Sequence, residues 1–340
     1  MSGAETMAYV GIAAGPSGPC LASTGGSPAA HLERLISRTP ENAPIVILVH
    51  GYRYDPGRRT ADPQRHIYAF RDVQSCRKIR SWPLGLGFSR HGFETGLCIG
   101  FGWPARLPHV ETLLRRGRTG FSQVYADAAR HGAGLARLID MIHRVAPQRR
   151  VEILAHSLGA RVALSALPLV ARAPGRIILL GAAEYQSAAL SALGAIRTTE
   201  RPEIYNVTAR FNDLYDAMFE TFAPKRAPGD RALGQGLGQT AENWLDIQID
   251  RPDVTAWINE RGIPLHRARA RFCHWSFYTR GGALDVYEAI LRRRPGWDIE
   301  TLRMAPCFRL QDSRWSHLRP WRSPSSELQE IDAAQGLREA

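Results

Sequence analysis

Apolar residues recur along this 340-residue chain in two patterns. Short, continuous runs rich in Val, Ile and Leu occupy residues 45–50, 97–103, 151–156 and 176–181, and residues 203–209 carry Ile204, Tyr205 and Val207. Runs of that length and composition predict strands buried on both faces of a parallel sheet. Between them the apolar spacing changes to the helical period. Residues 28–37 place Leu32, Leu35 and Ile36 on one face behind a candidate N-cap, Ser27, and residues 122–145 carry Val124, Ala128, Leu135, Leu138, Ile142 and Val145. Further helices are expected directly after residue 157, over 252–261 with proline in the first turn, and over 282–293. At the N-terminus, residues 8–13 and 20–23 are weaker strand candidates split by Gly15-Pro16-Ser17-Gly18-Pro19, which predicts an antiparallel hairpin.

Strand and helix in alternation predict an α/β protein, a three-layer α/β/α sandwich around a mostly parallel sheet. Ligands of such sheets sit beyond the carboxyl ends of the strands. His50, Ser157, Glu184 and the residues after Arg210 all fall at such ends.

The remaining segments are less regular. Residues 52–96, rich in Arg, Pro and Gly, are too long for a plain connection and are expected to carry function or to move. Residues 216–243 form a second insertion containing Pro224 and Pro228, a lid or a surface excursion. The last core strand is open between residues 244–250 and the Arg-Ala alternation of 267–273. Residues 1–310 are read as one domain, and the polar residues 311–340 as a poorly ordered tail.

Charge invites a different idea, because the net charge is +12. Almost all of the positive charge is arginine, with Lys78 and Lys225 the only lysines, and the arginines spread along the whole chain. Runs such as Arg115-Arg116, Arg149-Arg150 and Arg292-Arg293-Arg294 are read as solvated surface, so no nucleic-acid partner is expected. Five cysteines (Cys20, Cys76, Cys98, Cys273, Cys307), never in a Cys-x-x-Cys pair, suit neither a disulfide framework nor a zinc site. With no transmembrane stretch and no secretory signal at residues 7–14, a reducing cytoplasm is the expected location. Neither a G-x-G-x-x-G loop nor a metal-ligand cluster appears, so no cofactor is expected.

One segment carries chemistry. In Val151-Glu-Ile-Leu-Ala-His-Ser-Leu-Gly-Ala-Arg-Val-Ala-Leu164 an apolar run ends in a small-residue turn, and a helical pattern follows at once. Ser157 sits at the bend, flanked two residues away by Ala155 and Gly159, as a sharp strand–turn–helix elbow requires. About a hundred residues upstream, a buried strand ends in His50-Gly51-Tyr52, where glycine lets backbone approach another group closely. The two segments, in this order, resemble the α/β-hydrolase superfamily of serine esterases and lipase-like enzymes.

The resemblance implies a serine nucleophile, Ser157, with the backbone N–H groups of Tyr52 and Leu158 as oxyanion donors. His50 is expected to organise its loop and not to act as a base. In this superfamily acid and then histidine follow the serine. Of the later histidines, His274 in the aromatic cluster Phe272–Tyr278 is the expected base, ahead of His266 and His317. The expected acid is Asp213, with Asp216 and Glu184 as alternatives and Asp246 or Asp250 behind them. His156 is expected to point away from the nucleophile. The implied activity is hydrolysis of a carboxylic ester or related acyl bond of a small molecule through an acyl-enzyme. A non-catalytic binding module on the same fold, or a basic surface-associating protein, are the alternatives.

Overall fold

The computed structural model describes residues 7–71, 78–106 and 118–318. Among them are eight strands: β1 (Tyr9–Gly15), β2 (Gly18–Leu21), β3 (Ile45–Val49), β4 (Leu97–Gly102), β5 (Val151–His156), β6 (Arg176–Leu180), β7 (Glu203–Thr208) and β8 (Trp244–Gln248). They form one sheet in the order β2-β1-β4-β3-β5-β6-β7-β8. The hairpin β1–β2 is antiparallel, and every other neighbouring pair is parallel.

Among the described residues ten α-helices accompany the sheet: α1 (Ala29–Arg38), α2 (Trp82–Gly85), α3 (Arg118–Val145), α4 (Leu158–Ala166), α5 (Gln186–Gly194), α6 (Asp213–Phe222), α7 (Pro252–Glu260), α8 (Ser276–Thr279), α9 (Ala283–Leu291) and α10 (Ile299–Met304). Alternation along each strand divides the core in two. On β3, Ile45, Ile47 and Val49 face the layer of α1, α3, α4 and α5, whereas Val46 and Leu48 face the layer of α2, α7, α9 and α10. Every residue of β3, β4 and β5 is buried, which is why their sequences read as unbroken apolar runs.

Register positions the site. Val49 pairs with Ala155 and His156 with Leu180, so the chain leaving β3, β5 and β6 emerges side by side at one edge of the sheet. His50-Gly51 and Ser157 meet there because β3 and β5 are neighbours.

Several expectations change. Helix α1 begins after Pro28, its N-cap, and Ser27 does not cap it; α3 is already helical at Arg118, ahead of the expected residue 122. Residues 244–248 form the edge strand β8, and residues 267–273 contain no strand. The described parts of the 52–96 excursion pack against the sheet. The Tyr68 hydroxyl donates to the carbonyls of Leu48 and Phe101, and Trp82 lies buried 5.2 Å from the Tyr278 ring. Within 216–243, α6 runs on to Phe222, and the Asp230 carboxylate accepts from the Ser187 N–H.

The tail expectation fails for residues 311–318. The Asp312 N–H donates to Gln248 Oε1 (2.6 Å), and Arg314 makes two bonds of 2.8 Å to Glu220. Polarity there reflects docking onto polar strand ends rather than solvation. Residues 319–340, like Cys76, Arg115 and Arg116, lie outside the described residues.

Ile153, fully buried at the centre of β5, tests this core. Ile153→Ala should lower stability by about 2–5 kcal/mol in urea unfolding. A loss below about 1 kcal/mol would show that the central strand is not close-packed.

Candidate active site

Ser157 occupies a backbone conformation that L-residues rarely adopt, φ 56° and ψ −124°, at the junction of β5 and α4. Hydrogen bonds on both sides hold the strain. Its N–H donates to Leu180 O (2.9 Å), and its carbonyl accepts from the N–H groups of Ala160 (3.0 Å) and Ala183 (3.1 Å). Close approach explains the neighbouring glycines. A Cβ on Gly51 would stand 2.6 Å from Ser157 Cβ and 3.2 Å from Ser157 Oγ, and one on Gly159 would strike the Val49 carbonyl. Among the described residues the Ser157 hydroxyl makes no hydrogen bond, and the N–H groups of Tyr52 and Leu158 are likewise unengaged.

His50 is wholly buried and organises the loop after β3. The Trp103 N–H donates to His50 Nε2 (3.0 Å), which makes Nε2 the acceptor and leaves Nδ1–H to donate to Gly51 O (2.8 Å). Trp103 returns its indole N–H to His50 O (2.9 Å) and stacks on the imidazole at 5.6 Å. Burial lowers the His50 pKa to about 3, so the ring stays neutral.

His274 lies on the loop before α8, partly buried, with Tyr215 stacked on its ring at 5.0 Å. The chain next to Ser157 holds it. His156 packs ring to ring at 4.5 Å, and its Nε2–H donates to the His274 carbonyl (3.3 Å). Burial also lowers the pKa of His156, to about 4. His156 therefore points away from the serine and grips the histidine loop, a role that its place in the sequence did not reveal.

The expected acid is corrected. His274 Nδ1 lies 2.7 Å from Asn212 Oδ1, and Asp213 is directed elsewhere. The Asp213 carboxylate accepts from the Trp315 N–H (2.5 Å), pairs with Arg210 (3.3 Å) and lies 3.6 Å from His317. The cause is the helix: Asn212 caps α6 and Asp213 is its first residue, so one step turns the side chain by about 100°. Asp216, four residues beyond Asn212, shares its face and accepts from Asn212 Nδ2 (2.9 Å).

Because the Asn212 amine end points to Asp216, its oxygen end must face His274. Nδ1 of His274 then carries the hydrogen, and Nε2 is left as the acceptor. Burial first, and the neighbouring His156 second, hold the His274 pKa well below the ordinary imidazole value.

The other acids have separate duties. Glu184 accepts from the Tyr125 hydroxyl and the Arg161 guanidinium, each at 2.5 Å. Asp246 accepts from Asn206 and Trp244, each at 2.8 Å. Asp250 accepts from the N–H groups of Arg210 (2.7 Å) and Phe211 (3.2 Å), and so shapes the turn that presents Asn212. Cys273 N–H donates to Phe211 O (3.1 Å), tying that turn to the histidine loop. Among the described residues no group of three or more His, Cys, Asp or Glu could hold a metal ion.

A mostly parallel eight-stranded sheet with a strained serine elbow after its central strand defines the α/β-hydrolase fold. Residues 27–178 match a family described as "Alpha/beta hydrolase of unknown function (DUF900)", a span that takes in His50-Gly51 and the Ser157 elbow and ends before Asn212 and His274. No curated protein matches the chain. No helix among the described residues is long and apolar enough to cross a membrane.

Three imidazoles held neutral set the acid limit of the fold. For His50 and His156 the folded state binds fewer protons than the unfolded state at every pH between about 6.5 and their lowered values of about 3 and 4. Their stabilising contribution is full above pH 6.5 and is lost as pH falls through that window. Urea stability should therefore decline from pH 6.5 downward, and His50→Gln should make the decline shallower. An identical slope in the variant would rule out the neutral, buried state of His50.

Proposed function

We propose that this chain is a serine hydrolase of carboxylic esters or related acyl bonds, acting on a small-molecule acyl substrate through an acyl-enzyme. The observation that carries the reading is the strained Ser157 bend, preceded by His156, whose ring packs at 4.5 Å on a histidine with its Nδ1 engaged by Asn212. In this mechanism Ser157 Oγ attacks the acyl carbonyl as its proton passes to His274 Nε2. The oxyanion is met by the N–H groups of Tyr52 and Leu158. The imidazolium then protonates the departing alkoxide, and water, activated by the same nitrogen, releases the acid.

An amide in the acid's place still satisfies the geometric half of the acid's task. Replacing the aspartate of a triad by asparagine is severe when the amide imposes the wrong imidazole tautomer. Here the bond to Asp216 turns the Asn212 oxygen toward His274 and supports the productive one. What is missing is a full negative charge in direct contact with the imidazolium, so turnover slower than that of a carboxylate-backed site is expected. That same absence favours one second reading, a non-catalytic binding module on the same fold.

Part of the positive charge is in structural use. Arg149, Arg176, Arg293 and Arg314 donate to carbonyls or pair with carboxylates, which favours a structural use of the positive charge over a nucleic-acid site. The free thiols Cys20, Cys98, Cys273 and Cys307 support a reducing compartment, and we place the protein in the cytoplasm.

Fluorophosphonate labelling of purified protein, with p-nitrophenyl acetate hydrolysis measured alongside, tests the reading. Ser157→Ala should abolish labelling and lower hydrolysis by about 10³-fold or more. Asn212→Leu should retain labelling and reduce kcat by roughly 10²-fold. Wild-type protein that neither labels nor hydrolyses would leave the binding module as the better account.

A further inference from the structure

Behind His274 and Asn212 stands a carboxyl that the mechanism above does not use directly. Asp216 is 3 % exposed, and its Oδ1 accepts from Asn212 Nδ2 at 2.9 Å. Its Oδ2 is buried and unpartnered, pressed against Gly234 so closely that a Cβ there would collide with it. Resting on the hydrolase reading, we propose that Asp216 is a positioning carboxyl that orients the Asn212 amide and, by its charge, sets how readily His274 accepts a proton.

The orienting role follows from hydrogen-bond polarity. An isolated asparagine side chain can present either its oxygen or its NH₂ group to an imidazole, and the two choices select opposite tautomers. As a carboxylate, Asp216 can only accept from Asn212, so it removes one choice. The NH₂ group faces Asp216, the oxygen faces His274, and Nε2 of the imidazole is left as the acceptor.

The charge-setting role follows from what surrounds the group. Every other ionisable side chain facing it is committed. Arg210, from the turn before α6, pairs with Asp213 and donates to Gly234 O, and Glu220, from α6, is held by both Nη atoms of Arg314 from the C-terminal segment. His317, beyond them, lies 3.6 Å from Asp213. Burial pushes the Asp216 pKa up; Arg210 and Arg314 pull it back, Asp213 and Glu220 add a further push, and it stands at about 7. Below that pH the site has a neutral chain, imidazole–amide–carboxylic acid. Above it, Asp216 has released its proton to solvent, and a negative charge lies one amide away from the imidazolium that forms during acylation. Activity should therefore rise with pH through a group that is not the histidine, whose own titration lies well below the ordinary value.

Two measurements on the full chain test this together. The first is the pH dependence of kcat and KM for p-nitrophenyl acetate, and the second is the ¹⁵N NMR tautomer of His274, which needs no turnover. In the wild type kcat should step upward near pH 7, with His274 in the Nδ1–H form. Asp216→Asn keeps an acceptor but cannot ionise, so the tautomer should persist and the step should vanish. Asp216→Leu removes the acceptor, and Gly234→Ala displaces the carboxyl without changing it. Both should mix the tautomers and lower kcat about tenfold or more at little change in KM. A step near pH 7 that survives Asp216→Asn, or a tautomer unmoved by both Asp216→Leu and Gly234→Ala, would overturn the proposal. A wild type without hydrolysis whose tautomer still follows Asp216 would leave the positioning role standing and remove the hydrolase reading.

Discussion

The left-handed bend at Ser157 is the constraint around which the upper edge of this sheet is arranged. A non-glycine residue held at φ 56° and ψ −124° carries strain of about 1–3 kcal/mol, and it persists only where neighbours over-determine it. Here they come from β6 and from the segments that follow β3, β5 and β6. The N–H of Ser157 is taken by β6, its carbonyl by α4 and the chain after β6, and its side chain is pressed against Gly51 after β3. The parallel register of β3 with β5 is therefore a chemical requirement as well as a structural one. A one-residue slip would move Gly51 away from the serine and place a side chain in its stead. His50 completes the arrangement by clamping its loop to Trp103 with a neutral ring, so no charge has to be buried beside Ser157.

How much of this could be read from sequence depended on how many faces of an element are buried. Strands β3 to β6 were legible because burial on both faces writes a continuous apolar run. The elbow was legible because its sterics demand small residues at fixed offsets from the serine. The last strand was not, since β8 is an edge and its alternation competes with that of residues 267–273. Composition said little of how residues 52–96 and 311–318 pack. Arg, Pro, Gly and polar residues suggest solvent, yet Tyr68 and Trp82 anchor the first, and the second is docked through Asp312 and Arg314 onto β8 and α6.

The acid was the sharpest test of that limit. Asn212-Asp213-Leu214-Tyr215-Asp216 offers two carboxylates and an amide within a turn and a half of helix. Sequence position alone cannot say which residue faces the histidine loop. Resemblance selected Asp213, because it follows the strand after which the superfamily most often places its acid. Packing selected Asn212, because Asp213 is drawn to Arg210, itself buried and fixed by the carbonyls of Gly234 and Asp312. A buried guanidinium that lost its carboxylate would cost more than an imidazole that received an amide, so the ion pair decides the rotation of the helix start.

The outcome is a site wired with neutral hydrogen bonds close to the serine and with its charges one layer out. His50, His156 and His274 are all driven toward the uncharged form by burial. Glu184 is answered by Arg161, and Asp213 by Arg210. An imidazolium formed in such surroundings is poorly stabilised at first contact, which keeps Nε2 unprotonated at rest but makes it a weak base. In the reaction proposed above, the compensation comes from groups that can strengthen as charge develops: the N–H groups of Tyr52 and Leu158, unengaged among the described residues, for the oxyanion, and the amide-linked carboxyl behind His274 for the cation. Both lie on backbone or side chains already fixed by packing, so neither needs to reorganise as charge separates.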